Sequence, residues 1–120
     1  MKTKILIPLL FVVLQSQAQV EGYWKGQINL GAQKIEMAFD IKVTENGFAT
    51  TLDVPAQGAF DVPVDKTEFH QGKLDLRMDA MNATYSGELK GPAIEGSFTQ
   101  HGMSFPLNLE RAVKEAKQAR

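Results

Sequence analysis

Apolar and polar residues alternate along most of this chain, which is the pattern of half-buried β-strands. Between residues 34 and 44 the apolar positions are Ile35, Met37, Phe39, Ile41 and Val43. A period of two places these side chains on one face of a strand and the polar side chains on the other. Because the alternation recurs as far as residue 109, with turn signals between the segments, it predicts a succession of strands.

The alternation predicts about eight strands joined by tight turns. Their ranges are residues 22–30, 34–44, 48–54, 66–70, 73–78, 83–90, 94–100 and 103–109. The predicted turn pairs are Gly31-Ala32, Asn46-Gly47, Gln71-Gly72, Gly91-Pro92 and His101-Gly102. Asn-Gly is the strongest signal, since both residues tolerate positive φ. Residues 55–64 contain two prolines, which exclude a central strand, so we predict a loop with at most a short edge strand.

Consecutive strands joined by tight turns form an antiparallel meander. With one apolar face, the meander must pack on a second sheet or close on itself, and closure removes the open edges. Gly26, Gly87 and Gly96 fall at inward positions, where a missing side chain permits the coiling of a small barrel. We therefore expect an all-β, up-and-down meander that closes into a small barrel, in preference to a sandwich with longer crossover connections.

The first 18 residues have the composition of a signal peptide. Lys2 and Lys4 precede an apolar run over residues 5–14, and Ser16-Gln17-Ala18 places small residues where a signal peptidase reads them. We expect cleavage after Ala18, a β-barrel domain over residues 19–110, and a periplasmic or secreted protein. Residues 111–120 are rich in Ala, Lys and Glu, which predicts a short helical tail, with a frayed tail as the alternative.

Composition narrows the class of partner. The 120 residues contain no cysteine, so we expect the exported domain to be held by its core and backbone ladder without disulfides. The formal net charge is −1 and becomes more negative when Lys2 and Lys4 are removed, which argues against a nucleic-acid partner. We expect no transmembrane segment after cleavage, because no other long apolar stretch follows.

The sequence contains no recognisable catalytic or metal-binding motif. His70 and His101 are the two histidines, and they lack the ligand spacing of a zinc site. Scattered aspartates, most of them on outward positions, are expected to serve as solubilising charge; they are Asp53, Asp61, Asp65, Asp75 and Asp79. No Gly-x-Ser-x-Gly nucleophile elbow occurs. We expect a protein that is not an enzyme and that has no cofactor or metal.

A group of inward positions could line a ligand-binding lumen. It consists of Met37, Thr50, Thr67, Met78, Tyr85, Phe98, Gln100, Met103 and Phe105. Methionine suits varied apolar ligands, and a few polar groups in an apolar cavity orient a ligand. The same side chains could instead fill a barrel of this size completely. The irregular loop, with Pro55, Gln57, Gly58 and Phe60, would then form the rim.

Gly22-Tyr23-Trp24, at the start of the first strand, resembles the Gly-x-Trp signature of lipocalins and related calycins. In that family the Trp closes the base of the barrel beneath an Arg that follows the last strand. Arg111 occupies the matching place, just after residues 107–110. The resemblance implies a structural cap in which the Arg111 guanidinium lies over the Trp24 indole as a cation–π pair.

A longer stretch resembles a β-domain of exported Bacteroidetes proteins that often precedes an α/β-hydrolase of the serine-esterase or peptidase type. The similarity covers nearly all of the chain after residue 18. It includes GYWKG (22–26), LDVPAQGA (52–59), VPV (62–64), IEGSFTQ (94–100) and FPL (105–107). The resemblance implies a calycin-like barrel and an exported Bacteroidetes source. These 120 residues do not include the hydrolase, so its catalysis is not expected of this chain alone.

Two functions from different classes remain. The first is an exported interaction or accessory module that serves an envelope partner such as a hydrolase. The alternative is a binding protein that holds a small apolar or amphipathic ligand in its lumen. An open internal cavity of several hundred Å3 would favour the alternative.

The signal-peptide prediction has a direct test. The exported protein is expected to begin at Gln19, because the peptidase cleaves after the small residue Ala18. N-terminal sequencing or the intact mass of protein recovered from the periplasm or the medium measures this. A mature form that retains Met1 would contradict the prediction.

Overall fold

The structure is a computed structural model, and it describes residues 17–114. Within this range ten strands form one sheet: β1 (Gly22–Leu30), β2 (Gln33–Thr44), β3 (Gly47–Val54), β4 (Ala59–Pro63), β5 (Lys66–His70), β6 (Lys73–Met78), β7 (Ala83–Lys90), β8 (Ala93–Gln100), β9 (Met103–Pro106) and β10 (Leu109–Arg111). The order across the sheet is β4-β3-β2-β1-β10-β8-β7-β6-β5, and β9 pairs with β8. All pairings are antiparallel, so the predicted all-β antiparallel meander is confirmed.

The alternation of the sequence is reproduced in the burial of the strands. On β6, for example, Leu74, Leu76 and Met78 are buried while the residues between them are exposed. The inward side chains of the strands form one continuous core. Burial of each large apolar side chain contributes about 1.5–3 kcal/mol, so this shared core is the main source of stability.

Tight turns join most of the strands where the sequence predicts them. The β1–β2 and β7–β8 hairpins turn at Gly31-Ala32 and Gly91-Pro92. Gln71-Gly72 and His101-Gly102 turn the β5–β6 and β8–β9 hairpins. All four residues of these last two turns have positive φ, between 52° and 82°. Such turns match the right-handed twist of the flanking strands, so they fix the register of each hairpin.

The β2–β3 turn lies one residue earlier than predicted. Thr44 pairs with Gly47, so the loop is Glu45-Asn46 and not Asn46-Gly47. Gly47 has a φ of 141° and opens β3. The prediction of the turn type from Asn-Gly was wrong because the glycine's conformational freedom is used at the first strand position, not inside the loop.

The sheet does not close into a barrel, so the predicted closure is wrong. β4 and β5 are the two ends of the strand order, although they follow each other in the chain, and β9 also has a single strand neighbour, β8. β4 pairs with β3 as far as Pro63, and the Val64 N–H then donates to the Thr50 carbonyl at 3.0 Å. The next N–H, of Asp65, donates to the Arg77 carbonyl at 2.7 Å, and β5 continues along β6. One continuous segment therefore changes partner and leaves β3 and β5 without a shared ladder.

The stretch 55–64 begins as a 3-10 turn, Pro55–Gln57, and continues as β4, a short strand at one end of the sheet. This agrees with the predicted loop and short edge strand. The strand predicted over residues 103–109 is interrupted at Leu107 and Asn108, where the Leu107 carbonyl accepts from the Tyr85 hydroxyl at 2.8 Å. The Gly96 N–H donates to Asn108 Oδ1 at 3.1 Å instead of to a backbone carbonyl.

The predicted helical tail is not observed in the described part of the chain. β10 ends at Arg111, and residues 112–114 have no regular secondary structure. The Ala112 N–H donates to the Tyr23 carbonyl at 2.9 Å, so the chain continues beside β1 in an extended course that excludes a helix there. Residues 115–120, and the predicted signal peptide as far as residue 16, lie outside the described residues.

Trp24 is fully buried at the end of the core where β1 begins. Its Nε1 donates to the Val20 carbonyl at 2.9 Å. The guanidinium carbon of Arg111 lies 4.3 Å from the ring centroid, which is a cation–π stack. The same guanidinium donates to the carbonyls of Glu21 and Gln19, at 2.7 Å each. The stack thus joins the last strand, the first strand and the segment that precedes it.

Replacement of Trp24 by alanine should therefore destabilise the fold severely. We expect Trp24→Ala to lower the free energy of unfolding by about 3–5 kcal/mol, because it leaves a large cavity under Arg111. Urea denaturation measures this. Glu110→Ala, at an exposed position of β10, is the control and should stay within about 0.5 kcal/mol of the wild type. Equal effects of the two substitutions would contradict the role of the stack.

Candidate interaction site

The residues predicted to line a lumen mostly lie inside a packed core. Five of them are at most 5% exposed: Met37, Thr50, Met78, Tyr85 and Phe98. Thr67, Gln100 and Phe105 are half-buried. The geometry brings these side chains together, and what decides their function is whether any space remains between them.

Opposite walls of the sheet meet in the interior. Phe39 lies on β2 and Tyr85 on β7, which are separated by three strands in the sheet, and their ring centroids are 5.5 Å apart. The Tyr85 hydroxyl continues to the Leu107 carbonyl at 2.8 Å. This bridge of aromatic side chains occupies the middle of the space that a lumen would need.

The polar side chains predicted to orient a ligand bind each other or the backbone. The Thr67 hydroxyl donates to the Thr50 hydroxyl at 2.9 Å. Gln100 Nε2 donates to the Met81 carbonyl at 2.9 Å. These hydrogen bonds tie neighbouring strands and turns together, so the groups already have partners within the chain.

Met103 shares the face of Phe105 but is not buried, so the prediction that it lines a lumen is wrong. It is 60% exposed, whereas Phe105, two residues later on the same strand, is half-buried opposite Phe98. Met103 pairs with Gln100 to close the β8–β9 hairpin. At the tip of a hairpin the sheet extends past the last layer of core side chains, so alternation no longer implies burial.

The predicted rim residues form a turn at the end of β3. Pro55 and Gln57 belong to the 3-10 turn, and Gly58 caps it with a φ of 65°. These three residues are exposed, while Phe60, on β4, is half-buried. The turn packs against β2 and is positioned by the β3–β4 connection.

A surface cleft lies at the seam between β3 and β5. We call it the seam cleft. Its volume is about 640 Å3, and its lining includes Gly47 and Phe48 of β3 and Thr67, Glu68 and Phe69 of β5. Residues of the β5–β6 hairpin complete it: His70, Gln71, Lys73 and Asp75. Gln17, which the predicted cleavage would remove, also lines it. The Thr50–Thr67 hydrogen bond marks the end at which the two strands come together.

Both walls of the seam cleft present strand edges. The two-residue loops Glu45-Asn46 and Gln71-Gly72 close on the pairs Thr44–Gly47 and His70–Lys73. Because the closing pair of such a hairpin is hydrogen-bonded and the bonding alternates along a strand, Phe48 and Thr50 direct their backbone groups away from β2. By the same rule, Thr67 and Phe69 of β5 direct their backbone N–H and carbonyl groups toward the seam. The hydrogen bond from Val64 to the Thr50 carbonyl agrees with this assignment.

A polar cluster on the outer face of β1, β3 and β4 was not foreseen from the sequence. Asp53, predicted to be a solubilising charge, is only 4% exposed. Its carboxylate accepts from the Tyr23 hydroxyl at 2.9 Å and from the Asp61 N–H at 2.8 Å. Asp61 has a φ of 55°, at the irregularity where β4 shifts register against β3. Asp53 therefore stabilises a bulge, and no pattern local to Asp53 could reveal that.

Lys114 reaches this cluster from the end of the described chain. Its Nζ lies 3.0 Å from Asp40 Oδ2 and 3.4 Å from Asp61 Oδ1. It also lies 5.6 Å from the centroid of the Tyr23 ring. The segment after β10 thus crosses the outer face of the sheet and is held there by charge.

The remaining candidates for chemistry are separate from one another. His70 and His101 are both exposed at turns. Among residues 17–114, no three His, Cys, Asp or Glu side chains are grouped so that they could hold a metal ion. Within the same range, no helix has the length and hydropathy needed to cross a membrane.

Comparison of the sequence with protein-family models found no match, and comparison with curated proteins found none either. The packed interior and the seam cleft are therefore the features from which a function is inferred.

The two tyrosines predict how stability depends on pH. Burial, the hydrogen bond to Asp53 and the charge of Asp53 raise the pKa of Tyr23, and burial raises the pKa of Tyr85. A phenol whose pKa is raised by folding stabilises the fold fully below its unfolded pKa of about 10, and this contribution is lost as the pH rises above that value. We expect the free energy of unfolding to fall above about pH 10.

Urea denaturation over a series of alkaline pH values measures this fall. Tyr23→Phe and Tyr85→Phe should each make the decline shallower, because the titrating group is gone. A decline of the same slope in both variants as in the wild type would show that other groups cause it.

Proposed function

We propose that this chain is an exported, non-catalytic interaction module that serves a protein partner in the cell envelope, such as a hydrolase. The resemblance to the β-domain of exported Bacteroidetes proteins suggests the kind of partner, and the signal-like residues 1–18 suggest the compartment. The structural support is the filled interior. Because it has no room for a ligand, binding would take place on the outer surface. The alternative, a ligand-binding lumen, needs space that the aromatic bridge occupies.

The main observation in favour of this proposal is the contact between Phe39 and Tyr85, which fills the interior. Their ring centroids lie 5.5 Å apart although they belong to strands on opposite sides of the fold. An apolar ligand could enter between them only if the walls separated or the rings rotated away. Close packing of this kind resists such movement, since interiors have the density of organic crystals.

The inward glycines support the same conclusion. A Cβ at Gly87 would lie 2.8 Å from both Ile94 Cγ2 and the Tyr85 hydroxyl. A Cβ at Gly96 would collide with the Ser86 carbonyl oxygen and would lie 2.6 Å from the Gly87 Cα. Even one methyl group has no room at either position. The glycines therefore permit close approach of neighbouring groups and do not open a cavity.

The first test asks whether the interior accepts an apolar molecule. Wild-type protein titrated with an anilinonaphthalene dye should show no saturable fluorescence increase. Gly87→Leu, which overpacks the core, should lower the free energy of unfolding by roughly 1–3 kcal/mol or more. Saturable dye binding by the wild type, blocked by Gly87→Leu in a protein that remains stable, would contradict the proposal and establish the lumen alternative.

The second test asks where a partner binds in the cell. A photo-crosslinking amino acid replaces Glu68, which is exposed in the seam cleft, or Glu95, which is exposed on β8, in the bacterium that makes the protein. We expect one dominant protein adduct from position 68 and none from position 95, because only the first position lines the cleft. Absence of a protein adduct from either position would contradict an interaction module that uses this surface.

A further inference from the structure

We infer that the seam cleft binds an extended polypeptide segment of the partner, which adds as a strand to the free edge of β5. This inference rests on the proposed function and names the chemistry of the partner. In strand addition, main-chain hydrogen bonds provide affinity and alternate side chains provide specificity. The cleft has the parts that this mode requires: a free strand edge, two half-buried phenylalanines in an otherwise mostly polar lining, and a volume of about 640 Å3.

The free edge is formed by the backbone of Thr67 and Phe69. The β5–β6 hairpin closes on His70 and Lys73, so the even-numbered residues of β5 bond to β6 and the odd-numbered ones face the seam. β5 has one strand neighbour in the described sheet. The N–H and carbonyl groups of Thr67 and Phe69 are therefore available for another chain, and a polypeptide backbone complements them.

The floor of the cleft is apolar where the two strands diverge. Phe48 and Phe69 are half-buried and pack against the edge of the core. The Thr50–Thr67 hydrogen bond closes the other end at 2.9 Å. A strand added to β5 would direct every second side chain onto this floor. The preferred segment is therefore extended and carries an apolar residue at the inward position beside the two phenylalanines.

The strands at the two ends of the sheet differ in a way that favours β5, and β9, which also has one strand neighbour, contains Pro106. β4 contains Pro63 and the irregularity at Asp61, two features that prevent pairing at an edge. β5 has neither proline nor glycine between Lys66 and His70. Its outward charges, Lys66 and Glu68, are paired with each other at 3.3 Å and leave the backbone edge uncovered.

The test uses a phage-displayed library of random nine-residue peptides selected on the exported protein. Thr67→Pro removes the N–H that faces the seam, and Thr67→Val is the matched control, which removes only the hydroxyl. Synthetic versions of the enriched peptides should bind Thr67→Val as they bind the wild type. They should bind Thr67→Pro about tenfold more weakly or worse, the factor expected from one lost hydrogen bond.

A second measurement does not depend on how well the proline variant folds. Each peptide amide is methylated in turn. Strand addition predicts loss of binding at every second position, because only alternate amides point toward β5. Loss that follows no period of two, equal binding to both Thr67 variants, or no enriched peptide would each overturn the inference.

Two other outcomes are also decisive. If the wild type self-associates and Thr67→Pro abolishes this, a second copy occupies the cleft, and the inference of a partner segment is wrong. Crosslinking of a partner through position 68 without any peptide that binds would refute strand addition while the interaction module stands. Saturable dye binding in the interior would instead refute the proposed function, whatever the peptides do.

Discussion

The contact between Phe39 and Tyr85 sets the distance between the two sides of this fold, and much of the structure depends on that distance. The ring centroids lie 5.5 Å apart across the interior. The Tyr85 hydroxyl must then find a partner in an apolar space, because a buried hydroxyl without a hydrogen bond is costly. It bonds to the Leu107 carbonyl, which lies in the two-residue interruption between β9 and β10.

Burial of the apolar face explains the ends of the sheet. A sheet with one apolar face buries that face on itself when the strands coil. Here the segment between Pro63 and Lys66 leaves β3 and continues along β6. Where the segment changes partner, β3 and β5 come together at the Thr50–Thr67 hydrogen bond. Farther along β5 the two strands diverge, and the seam cleft lies between them. An exposed strand edge is a hazard for a soluble protein unless it is blocked or used. β4 is interrupted by its proline and its bulge, whereas β5 has neither, and the proposed strand addition depends on this difference.

Alternation predicted the strands well because burial on one face is a local property of the sequence. Leu74, Leu76 and Met78 follow it strictly. What alternation could not predict depends on contacts between distant residues. Asp53 is buried because it holds the backbone of Asp61 on the next strand, and the pattern around Asp53 alone indicates an outward charge.

Closure of the sheet and the position of Met103 were misjudged for related reasons. Alternation states which face a residue occupies, but it does not state which strand is the neighbour or where the core ends. The partner change at Val64 and Asp65 is visible only in hydrogen bonds to Thr50 and Arg77. By contrast, the Trp24–Arg111 stack could be anticipated, because the resemblance to calycins associates those two positions.

Residue-resolved hydrogen exchange of the free protein tests the central claim, that the filled fold leaves the edge of β5 open. The amides of Glu68 and His70 point toward β6 and should exchange slowly. Those of Thr67 and Phe69 point into the seam and should exchange at rates near those of the turn residues. Slow exchange at all four amides would show that β5 is paired on both sides, and it would contradict the account.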